Sequence, residues 1–171
     1  MKGYKAFYKG LINKNGFQFE EGKSYFIDGK VEYGENGNGY HFCERLEDTL
    51  RYFSEEDDIE FAEVTSLGEL AEYHDHYFGF FNMYCTNKLR IDRVLTREEV
   101  INMFLEMNGY RNERLNRFLS LFPLTSEEII LFKNKFKDEK DIIDIIFYYQ
   151  ENNKDIPEKQ YSIGNNKKAS N

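Results

Sequence analysis

The chain has 171 residues, 40 % of them hydrophobic, enough for one well-buried core: one domain with an extension. Its net charge of −8 excludes nucleic-acid binding through phosphate neutralisation, which needs a clustered basic surface, and favours basic protein partners or solubility. No signal-peptide pattern stands near the N-terminus and no apolar run approaches the length of a membrane span, so a cytoplasmic protein without membrane contact is expected.

With 16 Phe, 13 Tyr and no Trp, rings must fill much of the core and cover some surface. Cys43 and Cys85 are expected to be reduced, buried thiols. The first ninety-five residues read as strands and turns. Tyr4–Lys9 alternates apolar and polar positions, and Gly16–Glu20 repeats the pattern before a Glu21-Gly22 turn. Ser24–Ile27 and Val31–Tyr33 form two short strand candidates, and the Asp28-Gly29 between them is a strong hairpin dipeptide. Gly34–Gly39 is a glycine- and asparagine-rich loop leading into Gly39-Tyr40-His41-Phe42-Cys43.

Beyond Cys43, Leu46, Leu50 and Phe53 recur at helical spacing, predicting a helix from about 44 to 53 with Glu44, Glu47, Asp48 and Arg51 on its other sides. An acidic turn, Glu55-Glu56-Asp57-Asp58, precedes strand candidates at Ile59–Thr65 and Leu89–Leu95. Between those strands lies the most aromatic stretch, Tyr73–Tyr84, readable as a long hairpin packing its rings on the core. From Thr96 the character becomes helical. Thr96…Glu99 and Thr125…Glu128 are capping boxes, apolar sets mark four helices, and Pro123 separates the second from the third. Residues 155–171 are polar and read as a disordered tail.

The prediction is therefore an α+β fold. A small, twisted, mainly antiparallel sheet with one packed helix occupies residues 1–95, and a helical C-terminal subdomain occupies 96–154.

All three histidines and both cysteines fall between positions 41 and 85. A strand places His41 and Cys43 on one face, so with His74, His76 and Cys85 they are candidate soft ligands for zinc. The other reading is a buried histidine and thiols, with no metal. Charge is also localised: residues 39–95 carry a net −8, and the segments on either side nearly balance. Ordered carboxylates could occupy a basic groove on a partner. Glu55, Glu56, Asp57 and Asp58 would supply the charge, and Tyr77, Phe78, Phe80 and Phe81 a ring-rich contact surface. Phosphate-binding glycine loops, nucleophile elbows, His-Glu-x-x-His and Cys-x-x-Cys are missing from the sequence.

Gly16-Phe17-Gln18-Phe19-Glu20-Glu21-Gly22, Gly39-Tyr40-His41-Phe42-Cys43-Glu44, Phe61-Ala62-Glu63-Val64 and Thr86-Asn87-Lys88-Leu89-Arg90-Ile91 together resemble an uncharacterised domain family of bacteriophages and prophages, over about residues 3–100. Its hallmark is a Gly-Phe-His-Phe-Cys-Glu-type motif. The resemblance implies a mobile-element origin, and together with the localised charge and the ring density it leads to the expectation of a non-enzymatic accessory or inhibitor that engages a host or defence protein with a basic surface.

More distantly, Gly39-Tyr40-His41-Phe42 and the helix ending at Tyr52 are similar to a strand–helix element of ADP-ribosyltransferase-type folds. That resemblance implies an alternative: an NAD-dependent transferase, or an inactive relative, with Tyr40, His41, Tyr52 and Glu63 around the nicotinamide. The first strand lacks the histidine or arginine that holds the ribose in those folds.

Overall fold

A computed structural model describes residues 1–33, 37–54, 58–75, 81–107 and 111–152, without the side chains of Tyr52, His74, Asp75, Phe81, Asn82, Arg111 and Asn152. Within them the chain forms β1 (Lys2–Tyr8), β2 (Ser24–Phe26), β3 (Tyr40–Cys43), a 3₁₀ helix (Leu46–Tyr52), β4 (Ile59–Ser66), β5 (Leu70–Asp75), β6 (Phe81–Thr86), β7 (Lys88–Val94) and the helices α1 (Arg97–Leu105), α2 (Arg111–Leu121), α3 (Ser126–Lys135) and α4 (Lys140–Asn152). The strands make one sheet in the order β2-β7-β4-β1-β3-β6-β5, with every pairing antiparallel. The α+β class is as expected.

Alternation along the strands gives the sheet two apolar faces. Ala6, Ile59 and Phe61 face the helices and share a core with Phe104, Leu115, Phe118 and Phe132. Phe7, Phe42, Ala62, Val64, Tyr84, Leu89 and Ile91 face the other way and are closed over by Leu11 and Phe19. This second face is concave. Four strand spacings would hold β6 and β7 roughly 19 Å apart in a flat sheet, yet only Asn87 joins them. The Ser66 hydroxyl of β4 donates to the Thr86 hydroxyl of β6 at 2.9 Å, across three spacings that a flat sheet would hold at about 14 Å.

The seam of the curl lies between β1 and β3, which share the single register pair Tyr4↔Cys43. Gly3 sits there because a Cβ would meet the Cys43 carbonyl and the Phe42 ring. One residue further on, the strands have parted far enough for the Lys5 ammonium to donate to the His41 carbonyl at 2.7 Å. Gly39 turns the chain into β3 at φ +140°, and a Cβ there would meet the Cys85 sulfur.

Three local expectations are corrected. Gly16–Glu20 is not a strand; its contribution is one isolated bridge, Ile12↔Gln18. Asp28-Gly29 does not close a hairpin either. Val31–Tyr33 is not a strand, and β2 pairs with β7, whose long neighbour β4 already defines a sheet to join. The predicted helix at 44–53 is a 3₁₀ helix beginning at Leu46. Arg45 offers no side-chain cap, and the Thr49 hydroxyl donates to the Leu46 carbonyl at 2.7 Å, an i to i−3 contact suited to a tight helix.

Leu46, Leu50 and Phe53 are buried as expected, but so is Asp48, because α2 packs on that side. Both capping boxes form, at Thr96/Glu99 and Thr125/Glu128. The hairpin reading of Tyr73–Tyr84 holds for β5 and β6, whereas residues 76–80 and the tail from 153 lie outside the described residues. No helix among the described residues is long and apolar enough to cross a membrane.

Candidate functional site

The register of β3 decides where its motif points. His41 lies opposite Cys85, and Cys43 opposite both Tyr4 and Met83, so these side chains share the helix-side face; Tyr40 and Phe42 point into the concave core. The His41 ring meets Tyr33 edge-on at 4.8 Å. Burial, helped by the nearby Lys5 charge, pushes its imidazole down to about 4, so it is neutral at physiological pH. Burial likewise raises the thiols, Cys43 to about 12 and Cys85 to about 11. Cys85 rests against the carbonyls of Asn38 and Glu32 at 3.6 and 3.8 Å.

Zinc binds thiolates, so a metal at these cysteines would have to displace their protons. Among the described residues no group of three or more His, Cys, Asp or Glu side chains could hold a metal. His74 falls on the opposite face by register, and His76 lies outside the described residues. Both cysteines should therefore resist iodoacetamide at pH 8 in the folded protein and react on unfolding; mass spectrometry reads the difference, and fast native labelling of either would contradict the burial described.

The residues suggested for NAD are not brought together. Glu63 pairs in register with Tyr4 on the helix-side face, whereas Tyr40 lies on the concave face beside Phe19, its ring 5.9 Å away, and donates to the Phe26 carbonyl at 3.4 Å. Glu63 is also engaged: Arg93 reaches it through Nε at 3.0 Å and Nη2 at 2.8 Å, and reaches Glu99 at 2.7 Å. The side chain of Tyr52 lies outside the described residues.

A family model described as Domain of unknown function (DUF7666) matches residues 1–103. The chain belongs to this family. No curated protein and no solved structure matches the chain. The DUF7666 segment holds the entire sheet and most of α1, while α2, α3 and α4 lie beyond it and cover its helix-side apolar face.

Within the DUF7666 domain the acidic segment proves partly internal. Asp48 is buried against Arg114, Glu63 meets Arg93, and Asp92 meets Arg90 at 2.5 Å and the Thr65 hydroxyl at 2.5 Å. Glu60 accepts from the Leu11 amide, and Asp58 lies 3.6 Å from Lys9. Glu55, Glu56, Asp57, Tyr77, Phe78 and Phe80 lie outside the described residues, as does the side chain of Phe81.

Among what remains outward are β5 and the residue before it: Glu69 and Glu72 are exposed, with Leu70 45 % and Tyr73 42 % accessible. Tyr73 stacks on Tyr33 at 4.6 Å with the rings 2° from parallel, and Tyr84 donates to Glu72 at 3.1 Å. Burial and that carboxylate push the Tyr84 phenol up to about 12, so the bond stays a donated one. The sequence reading did not single out Leu70, Glu72 or Tyr33. Only their place at a sheet edge marks them. Outside the family segment, Ile130, Leu131, Phe147 and Tyr148 are exposed on α3 and α4, near a cavity of about 220 Å³ lined by Leu119, Leu124, Ile129, Ile146 and Tyr149.

Proposed function

We propose that the chain is a non-enzymatic protein-binding accessory or inhibitor of mobile-element origin, and that it engages a host or defence protein through the acidic, aromatic end of its sheet. The observation that carries this reading is the edge strand β5 and the residue before it, where exposed Leu70 and Tyr73 lie among exposed Glu69 and Glu72. Large rings and apolar side chains held at a surface give contact area at low entropic cost, and carboxylates beside them select a basic partner. A second support is that the groups with catalytic potential are engaged within the fold: His41 is half-buried and neutral, the two thiols are protonated, and Glu63 is clamped by Arg93. The origin rests on the resemblance of the Gly39–Glu44 motif.

The test is affinity capture from native-host extract on immobilised protein. A protein retained by the wild type and released by the double variant Glu69→Lys/Glu72→Lys is the expected result. In parallel, the chain is incubated with labelled NAD and the same extract. No transfer is expected; label transfer that is lost on Glu63→Gln would replace this reading with an NAD-dependent ADP-ribosyltransferase.

A further inference from the structure

We propose that β5 is a docking edge for a basic, extended segment of another protein, which adds to the sheet as an eighth strand; this rests on the protein-binding reading and specifies its mode. β5 ends the strand order, and among the described residues its strand partner is β6 alone. In an antiparallel pair, alternate residues turn their N–H and C=O groups away from the neighbour, so β5 has an outer side that no strand among the described residues takes up.

Natural edges are usually blunted by proline, a bulge or lysine. β5 has none of these: its register with β6 runs unbroken from Leu70↔Thr86 to Asp75↔Phe81, and its sequence is LAEYHD. At the other end of the sheet the edge is different. β2 is three residues long, and Tyr40 reaches over it to the Phe26 carbonyl.

Charge decides the occupant. Glu72 within the strand and Glu69 just before it are exposed acids, so pairing β5 with the β5 of a second copy would gather the acids of both along one seam, and like charges across strands are destabilising. A strand bearing Lys or Arg reverses that sign. Alternation also sets the incoming pattern. Glu72 lies on the concave-side face and Tyr73 on the helix-side face, so a basic residue belongs opposite Glu72 and an apolar residue opposite Tyr73. The stack on Tyr33 holds the Tyr73 ring before any partner arrives, which reduces the ordering cost of binding.

The probes are three ten-residue peptides: one alternating Lys and Val, one with Glu replacing Lys, and one of Lys and Val with alternate backbone amides N-methylated. Methylation keeps the charge and removes the ladder. Binding to the full chain is read by fluorescence anisotropy, and backbone pairing by hydrogen exchange at the β5 amides. The Lys/Val peptide is expected to bind at least about ten-fold more tightly than either other peptide and to protect alternate β5 amides. The Glu69→Lys/Glu72→Lys protein should invert the preference toward the Glu/Val peptide. Equal binding of the N-methylated peptide, or binding without β5 protection, overturns strand addition whether or not the double variant folds. Either result can coexist with a captured host protein, which leaves the broader binding reading standing. β5 protection with no host protein captured supports strand addition and counts against the broader reading alone.

Discussion

Replacing Arg114 with leucine is expected to cost ~3–5 kcal/mol of stability at pH 7, because it leaves a buried carboxylate without its counter-charge. Asp48, 1 % exposed on the 3₁₀ helix, lies 2.8 Å from Arg114 of α2, itself 4 % exposed, and Glu47 approaches the same guanidinium at 3.6 Å. Burial wins over the arginine's attraction and pushes the Asp48 carboxyl up to about 6. A carboxyl raised above its unfolded value of 3.8 contributes stability that is complete below pH 4 and is lost as pH rises through 6. The wild type should therefore lose stability across that window, by on the order of 2–3 kcal/mol from this group. The Arg114→Leu penalty should shrink toward pH 4, where Asp48 is neutral. The double variant Asp48→Leu/Arg114→Leu should recover to within about 1 kcal/mol of the wild type and lose this pH slope. Urea denaturation at pH 4, 5, 6 and 7 measures all three; an Arg114→Leu penalty independent of pH would refute the account.

Phe118→Ala is expected to destabilise by ~3–5 kcal/mol through the cavity it leaves. Phe118 is fully buried at the centre of a ring ladder, 3.7 Å from Phe104 of α1, 5.0 Å from Phe122 and 6.1 Å from Phe132 of α3, centroid to centroid. The ladder reaches the sheet through Phe122 and Phe61 of β4 at 6.3 Å. Since the helices and Ala6, Ile59 and Phe61 share one core, the loss should be felt across the element boundary. A single unfolding transition with a lower midpoint is expected, together with faster hydrogen exchange at β1 and β4. Undiminished protection of those strands, with α2–α4 already unfolded, would make the helices a separable unit.

Much of the helical half was legible because its signals are local. A threonine with a glutamate three residues on satisfies cap amides by its own side chains, and an apolar set at helical spacing needs only some surface to bury against. β1, β4 and β7 were legible for the same reason. Asp28-Gly29 misled because a turn dipeptide permits a hairpin but does not choose its partner strand; β7 won β2. The candidate site was less legible. Net charge by segment counts Asp48, Glu63 and Asp92 as surface, yet Arg114, Arg93 and Arg90 answer them, and Arg114 comes from a helix 66 residues beyond its partner Asp48.

The Gly39–Glu44 stretch shows the division most clearly. By itself the sequence determined that Gly39 could deliver a strand, that Tyr40 and Phe42 would face opposite to His41 and Cys43, and that an apolar helical stripe would follow, because these depend on backbone freedom and side-chain period alone. Only the tertiary structure decided that both faces of that strand are covered. The sheet curls until β4 touches β6, enclosing Phe42, while Cys43 is buried on the helix side and the Tyr33 ring packs on the half-buried His41. It also decided that the outward edge is β5, since which strand ends a sheet depends on pairings between distant segments that no local pattern encodes.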